Sequence, residues 1–249
     1  MKKIIFSLVL FLVAFVVFLI ATVPASFAVS YLPQPSPVQL AGVSGTVWNG
    51  QARSLVHEGR DLGKLEWSLH PLSLLGMKLS TDFKLTQSRL QADGEATIYK
   101  DQTILLENTH LRGDVEQLPL PPEAAFVEPS GLFQADFERI QLQGDTLQDA
   151  NGKVVWKPAL ITAPSRYELG EISLNLEGKD GNLTGQLGSK DGPLNMTGNL
   201  QLAANGMFST NIRLAPHTGT PQEIRDMLPM AGRPAADGSV TVKQRFSIR

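Results

Sequence analysis

An uninterrupted apolar segment at residues 4–23 constrains this chain more than any other feature. Among its twenty residues only Ser7 and Thr22 carry polar side chains, and Lys2 and Lys3 precede it directly. At about 1.5 Å of rise per residue, a helix of this length covers the roughly 30 Å hydrocarbon core of a bilayer. The two lysines predict that residues 1–3 stay in the cytoplasm, that residues 4–23 form a transmembrane anchor, and that the rest is exported.

The alternative is a cleaved signal peptide. Lys2 and Lys3 would then form its charged region, and the small residues Ser26 and Ala28 offer a cleavage site. A signal peptide usually has about 7 to 15 apolar residues, however, and this segment is longer. Pro24 would also end the helix close to the edge of the hydrocarbon. We therefore expect a retained anchor, and both interpretations place the body of the protein outside the cytoplasm.

Charge and cysteine usage exclude several classes of protein. The formal net charge of the 249 residues is −2, and it becomes −4 once Lys2 and Lys3 are set aside. A mildly acidic domain argues against a nucleic-acid partner. The chain has no cysteine, so disulfides, thiolate metal sites and thiol catalysis are excluded.

The body of the chain predicts a β fold. Residues 24–37 contain Pro33, Pro35 and Pro37 and predict a stiff spacer, which is followed by a periplasmic domain at 38–249. Apolar and polar residues alternate in many segments of this domain, as in Phe208, Thr210, Ile212 and Leu214, which is typical of half-buried antiparallel strands. Seven dipeptides predict tight hairpin turns: Asn49-Gly50, Asp93-Gly94, Asn151-Gly152, Asp180-Gly181, Asp191-Gly192, Asn205-Gly206 and Asp237-Gly238.

Two breaks interrupt the strand pattern. Four prolines within residues 118–130 predict a seam between two halves, 38–117 and 131–249, with a helical turn at about 123–127. The halves share a motif, GKLEW at 63–67 and GKVVW at 152–156, which suggests an internal duplication and a curved sheet. Near the C-terminus, Thr220 fits an N-cap, Pro221 the first helical position and Glu223 a capping box, so a short helix should run to about Met230 before the last strand.

No residue set indicates catalysis, a cofactor or a metal. The histidines, His57, His70, His110 and His217, lack metal-ligand spacing. Ser44 lacks the glycine spacing of a nucleophile elbow. Solvated strand faces and turns account for the carboxylates of Glu123, Glu128, Asp136 and Glu138, and core packing is favoured over ligand stacking for Trp48, Trp67 and Trp156. We therefore predict no enzyme, no catalytic, cofactor-binding or metal-binding residues, and no cofactor.

Several motifs resemble a known family. They are GVSGTVWNGQA at 42–52, LGKLEWSLHPLSLL at 62–75, GKVVWKPAL at 152–160 and PQEIRDMLPMAGRPAADGSVTV at 221–242, all behind the N-terminal apolar segment. The chain resembles protein N of the bacterial type II (general) secretion system. This resemblance implies a single-pass protein of the Gram-negative inner membrane with a periplasmic β domain, acting as a non-enzymatic accessory component in protein export. Its implied partners are other secretion subunits, either the inner-membrane platform or the outer-membrane secretin.

A more distant resemblance leads to a second function. The amphipathic strands are similar to those of AsmA-like envelope proteins, whose sheets form lipid-lined grooves. That likeness implies lipid or another hydrophobe as a ligand. The assembly subunit and the lipid-binding groove thus both remain open, as does the choice between a closed sheet and an open one.

Overall fold

The fold is mostly antiparallel β-sheet with a short C-terminal helix, as predicted. The computed structural model describes residues 10–12, 14–15, 18–30, 38–57, 59–118, 127–144, 146–163 and 165–247. The predicted anchor at 4–23 lies partly, and the tail at 1–3 wholly, outside these residues. Within them, no helix combines the length and the apolar composition needed to cross a membrane.

The chain divides into two compact units, Met1–Ser88 and Arg89–Arg249. The predicted halves 38–117 and 131–249 stay a prediction.

The N-terminal unit contains a three-stranded sheet and four further neighbouring strands. Strands β1, β4 and β5 form the small sheet, and β7, β6, β3 and β2 lie side by side in that order. Leu65 pairs with Leu85 and Trp67 with Phe83, so the alternating apolar positions share a face as predicted. The elements described in this unit are helix α1 (Ala25–Val29), a 3₁₀ helix (Pro71–Gly76) and strands β1 (Val38–Ala41), β2 (Ser44–Gly45), β3 (Asn49–Ala52), β4 (Ser54–His57), β5 (Arg60–Asp61), β6 (Lys64–Leu69) and β7 (Lys78–Gln87).

The end of the apolar segment is joined to this unit by hydrogen bonds. The indole Nε1 of Trp48 donates to the carbonyl of Ile20 at 2.8 Å. The backbone N–H of Val47 donates to the carbonyl of Val23 at 3.0 Å. The first part of the predicted spacer contains α1, whose Ala25 is buried, while residues 31–37 lie outside the described ranges. The end of the apolar segment therefore contacts residues 47 and 48 of this unit. The spacer at 24–37 stays a prediction.

The C-terminal unit is built on one large antiparallel sheet. Its strands lie in the order β8, β9, β11, β12, β13, β14, β15, β16, β17, and β10 pairs with β12. The elements described here are β8 (Leu90–Tyr99), β9 (Thr103–Asp114), a 3₁₀ helix (Val115–Gln117), β10 (Glu128–Ser130), β11 (Leu132–Gln143), β12 (Thr146–Ala163), β13 (Tyr167–Lys179), β14 (Asn182–Lys190), β15 (Leu194–Leu202), β16 (Met207–Pro216), helix α2 (Gln222–Ala231) and β17 (Val240–Ser247).

Helix α2 is the predicted C-terminal helix and covers one end of the sheet. Its buried Leu228 packs with Leu194, Met196 and Val240, and this cluster forms a hydrophobic core in the unit. The helix begins one residue later than predicted, because Pro221 is the N-cap and no side chain caps the helix. Thr220 is instead buried and donates through its hydroxyl to the carbonyl of Pro193 at 2.5 Å.

The proline-rich segment behaves as an edge element where it is described. Strand β10 contains Pro129 and pairs with β12 alone. Proline cannot donate to a ladder, which confines it to such positions. Residues 119–126 lie outside the described ranges and contain most of the helical turn predicted at 123–127.

Four of the seven dipeptides predicted to form turns lie in turns in the structure. Asp180 and Gly181 have φ angles of 52° and 76°, the positive values that a primed turn requires. Asp191-Gly192 and Asn205-Gly206 also join consecutive strands, and Asp237-Gly238 lies in the turn that leads into β17. The prediction is wrong for the other three dipeptides, which lie inside strands: Asn49-Gly50 in β3, Asp93-Gly94 in β8 and Asn151-Gly152 in β12.

Candidate functional site

A row of polar side chains crosses the whole C-terminal sheet at right angles to the strands. Each member is the direct cross-strand partner of the next, so all of them project from one face. At about 4.8 Å between strands, the row is roughly 38 Å long. From β8 to β17 this polar row consists of Asp93, His110, Asp136, Lys153, Asn175, Gln186, Asn199, Asn211 and Lys243.

The first part of the polar row is charged and internally paired. Nδ1 of His110 lies 2.7 Å from Oδ1 of Asp136, and Nε2 of Gln134 donates to Oδ2 of Asp136 at 2.9 Å. The hydrogen bond from His110 is the main reason why the pKa of Asp136 is below its ordinary value. The carboxylate of Asp136 is therefore fixed as an acceptor in the middle of a surface of mixed charge.

The second part of the polar row consists of four amide side chains. Asn175, Gln186, Asn199 and Asn211 occupy successive strands, and all four are exposed. An amide offers both a donor and an acceptor, so this part can bind uncharged polar groups of either kind. Shallow depressions of about 310, 640 and 340 Å³ follow the row, centred on His110, Lys153 and Asn199 respectively.

The opposite face of the same sheet is apolar. Leu183 pairs with Leu202 and Leu202 with Phe208, and the rings of Phe208 and Phe246 lie 4.9 Å apart between centroids. Helix α2 packs against the other end of these strands, around Leu194. Phe246 on this face is 48% exposed.

The sheet of the C-terminal unit ends in a strand with an open edge. Strand β17 pairs with β16 on one side. On its other side, the described residues contribute a single bridge, between Pro234 and Val240. Unpaired N–H and C=O groups on such an edge can bind a strand of another chain.

The histidines, Ser44 and the carboxylates considered above for catalysis or metal binding do not form one site in the structure. His70 lies beside Asp82 in the N-terminal unit at 2.9 Å, whereas His110 belongs to the polar row. Nε2 of His217 lies 3.0 Å from the carbonyl of Gly192. His57 and Ser44 lie in β4 and β2, and Glu123 lies outside the described residues. Among the described residues, no group of three histidines or carboxylates could hold a metal ion.

The two faces and the open edge define a protein built on a large antiparallel sheet with one polar and one apolar face. A family model described as type II secretion system (T2SS), protein N, matches residues 36–243, and the chain belongs to this family. It is similar to the type II secretion system protein N of Aeromonas hydrophila, with 28% identity over 100% of this chain and 98% of that protein. It is also similar to the type II secretion system protein N of Vibrio cholerae serotype O1, with 25% identity over 89% of this chain and 90% of that protein. No solved structure gives a significant match.

Proposed function

We propose that this protein is a non-enzymatic assembly component of the type II secretion system, anchored in the inner membrane by residues 4–23 with its sheets in the periplasm. The family relationship is the observation that carries the proposal, because it extends from residue 36 to 243 and both relatives bear the name of this system. The apolar segment and the two lysines before it support the orientation.

The open edge of β17 is the proposed contact with a neighbouring subunit. A strand of the inner-membrane platform or of the outer-membrane secretin would extend the sheet there by main-chain hydrogen bonds. Most residues of β17 are exposed, and its Lys243 and Arg245 flank the edge with positive charge. These charges favour a partner strand bearing carboxylates.

Photo-crosslinking in secreting cells tests this assignment. A photoreactive amino acid at Arg245 should crosslink to another secretion subunit. The same amino acid at Gln186, in the centre of the sheet, should give little of that product. Crosslinking only from Gln186 would move the contact to the polar row, and it would contradict the edge assignment. The assembly role itself would fail if deleting the gene left secretion and complex assembly unchanged.

A lipid-binding role is the second candidate. The apolar face beyond α2 favours it, because Leu202, Phe208 and Phe246 are cross-strand neighbours on adjacent strands and Phe246 is 48% exposed. Acyl chains are the ligands that such a surface fits. The surface lies on the face opposite the polar row, and through Phe246 it shares strand β17 with the proposed subunit contact.

Native mass spectrometry after gentle extraction tests the second candidate. Bound phospholipid should be detected on the full-length protein, and Phe246→Gln should reduce its occupancy. The matched control is Lys243→Gln, which changes the same strand on the polar face and should leave the occupancy unchanged. A protein without lipid, or equal losses in the two variants, would exclude the apolar face as a lipid site.

A further inference from the structure

A short loop in the N-terminal unit exposes an unusual amount of apolar surface. It comprises residues 71–77, that is, the 3₁₀ helix and the residue after it, and is called the apolar loop below. Leu72 is 79% exposed, Leu75 84% and Met77 72%. Soluble proteins rarely leave large apolar side chains grouped in this way, and such patches mark binding surfaces.

In the apolar loop the polar side chain faces the protein and the apolar side chains face outward. Ser73 is its only side chain with a polar group, and this side chain faces the fold. The hydroxyl of Ser73 donates to the carbonyl of His70 at 2.7 Å and accepts from the N–H of Ser80 at 3.1 Å. These bonds fix the backbone of the loop while its leucines point away from the protein. A loop adapted to water would have the opposite arrangement.

The strand that leads into the apolar loop is connected to the end of the N-terminal apolar segment through Trp48. Leu69, two residues before the loop, donates its N–H to the carbonyl of Trp48 at 2.6 Å. Trp48 in turn donates its indole N–H to the carbonyl of Ile20. A chain of two hydrogen bonds thus connects the strand that leads into the loop with the helical residues 18–21.

The surroundings of this end of the unit suit a membrane interface. Tryptophan is enriched where hydrocarbon meets water, and Trp48 is half-buried at this position. Lys78 follows the apolar loop directly, and its stem extends along Gly76. A lysine at that depth can reach lipid phosphate groups while the leucines contact acyl chains.

We infer that the apolar loop enters the membrane–water interface next to the anchor, so that the N-terminal unit touches the bilayer at a second point. The occupant of this surface is the lipid bilayer itself. The inference rests on the proposed anchoring by residues 4–23. A second contact would fix the tilt of the unit, since a single helix leaves the unit free to tilt relative to the membrane plane.

A fluorescent probe tests this inference on the full chain. The protein has no native cysteine, so Leu75→Cys can be labelled uniquely with an environment-sensitive dye. After reconstitution into vesicles of phosphatidylethanolamine and phosphatidylglycerol, its emission should shift to shorter wavelength and be quenched by brominated lipids. The control, Arg60→Cys, lies in β5, where the carbonyl of the next residue, Asp61, accepts from Gln87 at the end of β7 that is farther from the loop. Its dye should be quenched weakly. Adding Leu72→Asp should remove most of the quenching from position 75.

Two results separate the apolar loop from the anchor. Alkaline carbonate extraction of the same vesicles reports on residues 4–23. Protein that resists extraction while its dye at position 75 stays in water would overturn the inference about the loop and leave the anchoring intact. Protein that is extracted would overturn the anchoring, and with it the inference. Circular dichroism of Leu72→Asp should match the parent, because the replaced side chain is exposed.

Discussion

At the residue scale, three tryptophans show how far the surroundings of a side chain can be predicted from the sequence. Trp48, Trp67 and Trp156 were expected to pack in the core, and each is half-buried in the structure. Each indole N–H also donates to a backbone carbonyl distant in sequence: Ile20, Val47 and Ser130. Half-buried tryptophans need such acceptors, but nothing in the sequence identifies which carbonyl will be near.

Asp237 links the turn after α2 to the sheet. It accepts hydrogen bonds from the hydroxyl and the N–H of Ser239, at 2.6 and 3.0 Å, and pairs with the guanidinium of Arg213. The hydrogen bonds from Ser239, followed by the charge of Arg213, lower the pKa of Asp237 from 3.8 to about 2. The ionised carboxylate therefore stabilises the folded state.

Replacing Asp237 should produce a loss of stability that depends on pH. Because its folded-state pKa is lowered, the contribution is complete above about pH 4 and disappears as the pH falls from 3.8 toward 2. Asp237→Asn should thus unfold at lower urea than the parent at pH 6, and the difference should shrink below pH 3.8. Ser239→Ala should show a smaller effect in the same pH range. A difference that stays constant between pH 6 and 2.5 would contradict this role.

Gly152 illustrates why a turn signal failed. Asn151-Gly152 matches a hairpin dipeptide, yet it lies in the middle of β12 with Gly152 opposite Phe137. A Cβ at Gly152 would lie 2.6 Å from the ring of Phe137 and 2.6 Å from the carbonyl oxygen of Asp136. Glycine is required here because any side chain would collide with β11. That requirement cannot be predicted until the pairing register of β11 and β12 is known.

Alanine at Gly152 should therefore destabilise the protein. Overpacking typically costs about 1–3 kcal/mol, and here the backbone of β11 would have to move. The matched control is Gly188→Ala in β14, where an added Cβ has only the Ser173 hydroxyl nearby, at 3.7 Å. Urea denaturation should give a lower free energy of unfolding for Gly152→Ala and almost none of that loss for Gly188→Ala. Equal losses would mean that the Phe137 contact is not decisive.

At the element scale, periodicity located the strands and α2 well. Alternating apolar residues mark β6, β7, β11, β13, β16 and β17, and the proline and capping pattern marks α2 within one residue. The polar row was missed for a physical reason. Its members become neighbours only through the registers of nine strands, and a one-residue slip in any strand would remove its member from the face.

Helix α2 should be attached mainly by Leu228. This side chain is 5% exposed and packs on Val240, which is fully buried, whereas Met230 on the same helix is 86% exposed. Leu228→Ala should lower the free energy of unfolding by about 2–4 kcal/mol, through lost burial and the cavity left behind. Met230→Ala should change it by less than about 0.5 kcal/mol. Similar losses for both variants in urea denaturation would place the attachment elsewhere.

At the scale of the whole molecule, the C-terminal unit separates its polar and apolar surfaces. The polar row and the apolar face lie on opposite sides of one sheet, and the open edge of β17 borders both. Phe246 on the apolar face is 48% exposed, so an occupant that covers it adds apolar burial and binds only the folded state. Binding of a partner or lipid should therefore raise the unfolding temperature of this unit.

The proposed anchor can be separated from the domain it carries. Replacing residues 4–23 with a cleavable signal peptide should release the protein into the soluble periplasm and reduce secretion, because an assembly subunit must stay at the inner membrane. An unrelated single-pass segment of the same length and orientation should restore both membrane fractionation and secretion. Secreted enzyme activity and alkaline extraction measure the two properties in the same cells. Full secretion by the released domain would show that anchoring is dispensable for its role.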